Sequence, residues 1–164
     1  MDFHPIFVHF PIALLTVYSL FELIRFKKVL DNPIVFGMKA LLLILGTAAA
    51  LVALETGDLA KQMHAVRSQA VQTHEFFAQV TAILFSVLAS GYIWKVLSSS
   101  GLNFGSLGKL LNRISHFLIE TWFAPLIALA GLVALTITGA LGAYMVYGAG
   151  IDPFVNFIAK LLIK

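Results

Sequence analysis

The sequence predicts an all-α membrane protein, a bundle of four transmembrane helices followed by a short amphipathic helix at the C-terminus. The 164 residues are 60% hydrophobic and only 12% charged, whereas soluble domains carry about a quarter charged residues. The mean hydropathy is correspondingly high, at +0.94. Apolar residues gather in four segments of about 20 residues or more, the length that crosses a hydrocarbon core of about 30 Å.

The predicted spans form one domain, and they cover residues 5–24, 33–54, 72–94 and 117–146. The first ends at a basic turn that begins with Arg25, and the second begins at Pro33, in the first helical position that proline favours. Between the second and third spans we expect a polar loop, Glu55 to Val71. An amphipathic helix, Leu107 to His116, is expected before the fourth span, which Pro125 should bend. Residues 153–164 are expected to lie as a helix in the membrane interface.

Composition also excludes several kinds of function. The chain has no cysteine, which rules out disulfides, thiolate metal sites, covalently attached haem and iron–sulfur clusters. The net charge is +3, but the cations lie in short loops beside apolar runs, so we expect a lipid bilayer and no nucleic acid as partner. No phosphate-binding loop or nucleophile motif is present. An electron carrier or subunit is therefore favoured over a stand-alone enzyme.

The distribution of lysine and arginine predicts the orientation of the chain in the membrane. If the chain crosses four times, seven of these residues lie on one side and four on the other: Arg25, Lys27, Lys28, Lys39, Lys95, Lys109 and Arg113 against Lys61, Arg67, Lys160 and Lys164. Cytoplasmic loops carry the excess of positive charge. The sequence thus predicts that both termini face outward, to the periplasm or cell exterior.

In this topology, most of the ionisable groups with ligand chemistry collect at the outer ends of the helices. They come from four separate stretches of sequence, and they are His4, His9, Asp58, His64 and His74. The fifth histidine, His116, falls on the cytoplasmic side. Because ionisable groups at membrane depth are costly, such a gathering indicates a functional site.

The N-terminal sequence His4 to Ala13, HPIFVHFPIA, resembles the signature H-P-x-x-V-H-F-P-I-A of a bacterial four-helix membrane family catalogued as domain of unknown function 2231. The resemblance continues through Thr56-Gly57-Asp58, His74 and the stretch Gly139 to Gly148. Relatives often carry a histidine where this chain has Ala149, so that position offers no ligand here. Some relatives are fused to c-type cytochrome or Rieske-type modules. The resemblance therefore implies proximity to electron transport and to membrane or periplasmic redox proteins.

The leading hypothesis for the outer histidines is b-type haem. Two axial imidazoles must reach the iron from different helices, and His9 and His74 meet that condition at similar expected depth. Gly139 and Gly142 would let the fourth span approach a flat ring. A cofactor-free reading stays open, in which both histidines bond to backbone carbonyls, Asp58 or Glu75 within an anchoring subunit.

A third hypothesis is a transition-metal ion other than haem iron. Imidazoles and carboxylates suit zinc, copper or non-haem iron. His4, His9, His64 and His74 with Asp58 supply enough ligands, but their spacing matches no defined metal motif.

Other positions are expected to serve the fold. Glu22 and Lys39 lie near the cytoplasmic ends of consecutive spans, where we expect them to pair or to reach the interface. Gly46 and Gly131 are expected to mark close helix packing. Tyr92 is expected in the aromatic belt.

Overall fold

The structure is a computed structural model that describes residues 4–26, 29, 31–64, 68–100, 104–148, 150 and 152–163, with all their side chains except those of residues 4–6, 63 and 64. The described residues form six helices, which confirms the all-α class. They are α1 (His4–Leu23), α2 (Pro33–His64), α3 (Gln69–Ser99), α4 (Gly105–Glu120), α5 (Phe123–Tyr147) and α6 (Pro153–Leu162).

Three of these helices, α2, α3 and α5, are long and apolar enough to cross a membrane, as judged over the described residues. In α1 the stretch Phe7–Leu23 is equally apolar but shorter. The exposed surface of the bundle carries many large apolar side chains, among them Leu41, Ile83 and Leu126, each about 60% exposed. Such a surface suits a hydrocarbon solvent and is typical of a membrane protein.

The polar stretch after the second span is mostly helical, so the prediction of a loop from Glu55 to Val71 was wrong in its extent. α2 has 32 residues and is therefore about 48 Å long at 1.5 Å per residue, well beyond the core of about 30 Å. Ser68 caps the next helix by accepting a hydrogen bond from the Val71 amide, at 3.3 Å. The fall in hydropathy after Leu54 indicates where this helix leaves the bilayer, but the helix itself continues to His64.

The expected span 117–146 is divided at Thr121 and Trp122, where α4 ends and α5 begins. Pro125 has no amide hydrogen, so it cannot donate to the carbonyl of Thr121 four residues earlier. Arg25 supplies donors instead: its Nη2 lies 3.4 Å from the carbonyl oxygens of both Glu120 and Thr121. The helix is therefore broken, where a bend was expected, and α4 contains the predicted amphipathic segment Leu107 to His116.

Four helices surround the core of the bundle. α1 packs on α2, α2 on α3, α3 on α5 and α5 on α1, while α4 rests mainly on α3 and α6 rests on α5. The fully buried Tyr18 of α1 crosses the centre to α3, where its ring meets Phe85 and Tyr92 edge to face, each at 6.1 Å between centroids. Aromatic pairs of this geometry add to the stabilisation from apolar contact.

Glycines allow the helices to approach closely. A Cβ on Gly131 would lie 2.8 Å from Phe85 Cζ, and one on Gly46 would lie 2.7 Å from Leu15 Cδ2. Both predicted packing sites are confirmed. Gly91 does the same for α4, because a Cβ there would lie 2.8 Å from Ile119 Cγ2.

The C-terminal helix α6 has two apolar faces. Its amino end is capped by Asp152, whose Oδ1 accepts hydrogen bonds from the amides of Phe154 and Val155 at 2.8 and 3.1 Å. Ile158 is buried in a cluster with Ala140 and Leu141 of α5. Phe154 and two further large side chains of the other face are exposed, namely Phe157 and Leu161. The helix thus docks on α5 and leaves a second apolar face outward.

Candidate functional site

Two polar regions lie at opposite ends of the bundle. The first, called here the histidine end, comprises the start of α1, the end of α2, the start of α3 and the end of α5. An ion pair between Lys61 and Glu75 joins α2 to α3 there, and a hydrogen bond between His74 and the Thr138 carbonyl joins α3 to α5. The end of α2, the start of α3 and the end of α5 therefore do meet, as the sequence predicted, and Ile12 and Thr16 of α1 line a groove with α5.

His74 is held in a defined orientation. Its Nδ1 lies 2.9 Å from the carbonyl oxygen of Thr138, and the residue is half-buried. Because a carbonyl oxygen only accepts hydrogen bonds, Nδ1 must carry the proton. In the neutral imidazole the lone pair then lies on Nε2, which is the arrangement that ligand histidines show, with the second nitrogen bonded to a carbonyl.

Gly139 and Gly142 face different neighbours. A Cβ on Gly142 would lie 3.5 Å from Cε1 of His74, in ordinary contact, so the imidazole already covers this glycine. A Cβ on Gly139 would meet nothing within 4 Å. Gly139 borders a groove of about 340 Å³ between α1, α5 and α6, called here the apolar groove, with a lining of Ile12, Thr16, Leu135, Thr136, Gly139, Ala140, Ala143, Phe154 and Val155.

The remaining predicted ligands are spread over this end. His9 is exposed, and the helical period places it on the same stripe of α1 as Ile12 and Thr16, which line the apolar groove. Asp58 is exposed on the extended end of α2. The side chains of His4 and His64 lie outside the described residues. Among the described side chains, no three histidines or carboxylates form a group able to hold a metal ion.

The opening motif, whose helix carries His9 to the histidine end, is the part of the sequence most specific to one family. A sequence model of the family described as "predicted membrane protein (DUF2231)" matches residues 1–153. The chain belongs to this family. The DUF2231 match extends from the N-terminus to the first residue of α6 and so includes both polar regions. No curated protein and no solved structure gives a significant match.

The second polar region lies at the opposite end of this DUF2231 bundle and is called here the Glu22 cluster, consisting of Glu22, Arg25, Lys39 and Tyr92. The fully buried carboxylate of Glu22 forms an ion pair with Lys39, which confirms the expected pairing. It also accepts a hydrogen bond from the Tyr92 hydroxyl at 3.1 Å, and it lies 3.3 Å from Nη1 of Arg25. Three helices and the segment after α1 are thereby joined through one side chain.

Tyr92 was wrongly assigned to the aromatic belt, because its ring is 2% exposed. The ring stacks on Phe36 at 5.3 Å between centroids, and the ammonium of Lys39 lies 6.0 Å from the ring centre. Tyr92 lies near the end of the third predicted span, and this position suggested a tyrosine at the membrane interface. The buried acceptor that Glu22 provides accounts for its inward position instead.

A cavity of about 350 Å³ adjoins the Glu22 cluster and is called here the charged cavity. Helices α1 to α4 and the segment after α1 contribute its walls. Its lining is Phe21, Ile24, Arg25, Val29, Asp31, Val35, Phe36, Lys39, Tyr92, Lys95, Ile119 and Glu120. Sequence reasoning did not identify this cavity, because its cations come from three distant stretches. The only available signal was the placement of Glu22 and Lys39 within apolar segments.

Proposed function

We propose that this chain is an integral subunit of a bacterial inner membrane that crosses the bilayer four times, with both termini outside. The 20-residue α1 is about 30 Å long at 1.5 Å per residue, which equals the thickness of the hydrocarbon core. α1 also packs on both α2 and α5, which supports its place in the bundle as a membrane span in addition to α2, α3 and α5. The seven-to-four excess of Lys and Arg supports the orientation.

Single-cysteine labelling tests this topology without interference, because the chain has no cysteine of its own. In intact spheroplasts, a membrane-impermeant maleimide should label the Lys61→Cys variant. The Lys109→Cys variant should react only after the membrane is permeabilised. The reverse pattern would overturn the orientation, and equal labelling of both in sealed cells would overturn the four-span topology.

We further propose that the histidine end binds b-type haem and passes electrons within a larger respiratory or redox complex. The observation that supports this most is the hydrogen bond from His74 Nδ1 to the Thr138 carbonyl. It fixes the tautomer with the lone pair on Nε2 and makes that nitrogen more basic. Bound haem supplies one-electron transfer between ferric and ferrous iron.

The described residues fit this cofactor in part. His74 would hold the haem iron through Nε2, and the apolar groove beside Gly139 would offer a surface for a flat ring. His9 shares a stripe of α1 with Ile12 and Thr16, which line that groove, whereas His74 contacts Gly142 of α5. The fit is therefore good for His74 as one ligand and incomplete for His9 as the second.

An optical spectrum of the purified protein tests the cofactor directly. The protein should be made in a host supplied with haem and measured oxidised and reduced, with metal analysis of the same sample. A Soret band and a sharp α band on reduction are expected. If both bands are absent and a stoichiometric transition metal is found, the metal hypothesis replaces haem.

A second candidate is a cofactor-free anchoring subunit. The observation that favours it is again the hydrogen bond between His74 and the Thr138 carbonyl. This bond joins α3 to α5, and interhelical hydrogen bonds of this kind stabilise membrane bundles without any cofactor. The exposed apolar face of α6 would then contact a partner or lipid. A protein free of both haem and metal, but stably folded, would establish this function over the first.

A further inference from the structure

We propose that the charged cavity binds the phosphodiester of a phospholipid headgroup from the leaflet at that end of the bundle. This proposal does not depend on the cofactor at the histidine end. It follows from hydrogen-bond donors that the cavity leaves unsatisfied, from the balance of charge, and from the mixed apolar and cationic lining.

Lys39, which is buried, and Arg25, which is partly buried, have donors to spare. The Lys39 ammonium is 7% exposed and has three N–H donors, yet among the described residues Glu22 is its single hydrogen-bond acceptor. Arg25, 16% exposed, has five donors and directs its Nη atoms to Glu22 and to the two carbonyls at the α4–α5 break. Both side chains line the cavity. Because buried donors are almost always satisfied, an acceptor-rich group is expected between them.

The charges around the cavity disfavour a dianion. Glu22 is shared by Lys39 and Arg25, so these three groups together carry one net positive charge. Lys95 lies 2.7 Å from Glu120 and is neutralised by it. Asp31, also in the lining, brings the net charge of these six groups to zero, which disfavours a dianion. A phosphodiester carries a single negative charge, whereas a phosphate monoester carries about −1.5 to −2 at neutral pH.

The rest of the lining fits an amphiphile better than a free ion. Apolar side chains from four parts of the chain, Ile24, Val35, Phe36 and Ile119, line the cavity alongside the cations. Its volume of about 350 Å³ is within the range of about 300–1,000 Å³ of small-ligand sites. The proposed topology puts this cavity on the cytoplasmic side, where basic pockets between transmembrane helices are a recognised kind of site for phospholipid headgroups.

Native mass spectrometry of the full-length protein in detergent tests this proposal. Phosphatidylglycerol, diacylglycerol and inorganic phosphate should be titrated separately, because the second lacks the phosphodiester and the third lacks the acyl chains. One saturable phosphatidylglycerol site per chain is expected, with weak binding of the other two. In Arg25→Gln, affinity for phosphatidylglycerol should fall about ten- to a hundredfold, as for the loss of a hydrogen bond to a charged group.

Two further variants make the result unambiguous. Val35→Phe fills the cavity and leaves the Glu22 cluster intact, so it should weaken the site even if Arg25→Gln fails to fold. Lys61→Gln removes a cation at the histidine end and should leave the affinity unchanged. Equal binding of diacylglycerol and phosphatidylglycerol would overturn the proposal, as would an affinity that Val35→Phe leaves unaltered. Saturable inorganic phosphate at the same site would overturn the assignment to lipid.

Discussion

The two ends of the bundle use polar side chains in opposite ways. In the Glu22 cluster, a carboxylate with no exposed surface is shared by two cations and a tyrosine hydroxyl. At the histidine end, Lys61 and Glu75 are about one-third exposed, and the Thr138 carbonyl orients His74. Mutual neutralisation in the interior serves the fold, because each charge would be costly alone. In the function that we propose, the oriented, half-buried imidazole of His74 binds a ligand.

The largest effect is expected from Glu22→Leu. This change leaves two buried cations without their shared counter-ion and should lower the free energy of unfolding by about 3–5 kcal/mol. The double variant Glu22→Leu with Lys39→Leu should lose less than the sum of the two single variants. Equilibrium unfolding in mixed detergent micelles measures all three.

The matched control lies at the other end. Lys61→Leu and Glu75→Leu break a partly exposed pair and should each cost under about 1 kcal/mol. If these two changes were as damaging as Glu22→Leu, or if the Glu22 and Lys39 effects simply added, the contrast between the ends would be lost.

A smaller effect should separate two glycines of the same helix. Gly131→Ala places a Cβ 2.8 Å from Phe85, and such overpacking costs about 1–3 kcal/mol. Gly139→Ala meets open space, and alanine is favoured over glycine in a helix by about 0.5–1 kcal/mol. We therefore expect Gly131→Ala to destabilise the protein and Gly139→Ala to stabilise it slightly. A stability loss for Gly139→Ala would mean that the apolar groove is filled by protein.

The smallest effect concerns the cation on the far wall of the charged cavity. Lys95→Gln removes an exposed pair with Glu120, whose carboxylate also lies 3.3 Å from His116. The change in unfolding free energy should stay below about 1 kcal/mol. A loss as large as that of Glu22→Leu would show that Lys95 belongs to the Glu22 cluster.

Much of the fold was accessible from the sequence, because apolar length and helix-packing glycines are local signals. Gly46 and Gly131 were identified from small residues within apolar runs. Glu22 and Lys39 were paired correctly because they lie at the same end of consecutive helices. Family membership followed from the opening motif, whose residues the matched family model covers.

The errors have physical causes that no local pattern contains. Hydropathy could not show that α2 continues to His64, because a helix outside the bilayer needs no apolar residues. The break at Thr121 depends on Arg25, which is 96 positions away. Tyr92 turns inward because Glu22, 70 positions away, offers it an acceptor.

The candidate site was predicted only in part, because its side-chain contacts also depend on residues that are distant in the sequence. Topology brought the right stretches together at the histidine end, and a backbone carbonyl as the partner of one imidazole was among the expected arrangements. The orientation of individual side chains depends on helix rotation, which spacing does not determine. Thus the sequence could not show that Gly142 is covered by His74 while Gly139 faces the apolar groove.

The central claim is that His74 is a ligand, and the reduced-minus-oxidised spectrum of three variants tests it most directly. His116→Ala is the control, since His116 is 65% exposed and pairs with Glu120 at the other end. We expect His74→Ala to abolish the low-spin haem bands, His9→Ala to abolish or shift them, and His116→Ala to retain them. Haem bands of full intensity in His74→Ala, or no bands in the wild-type protein, would contradict the claim.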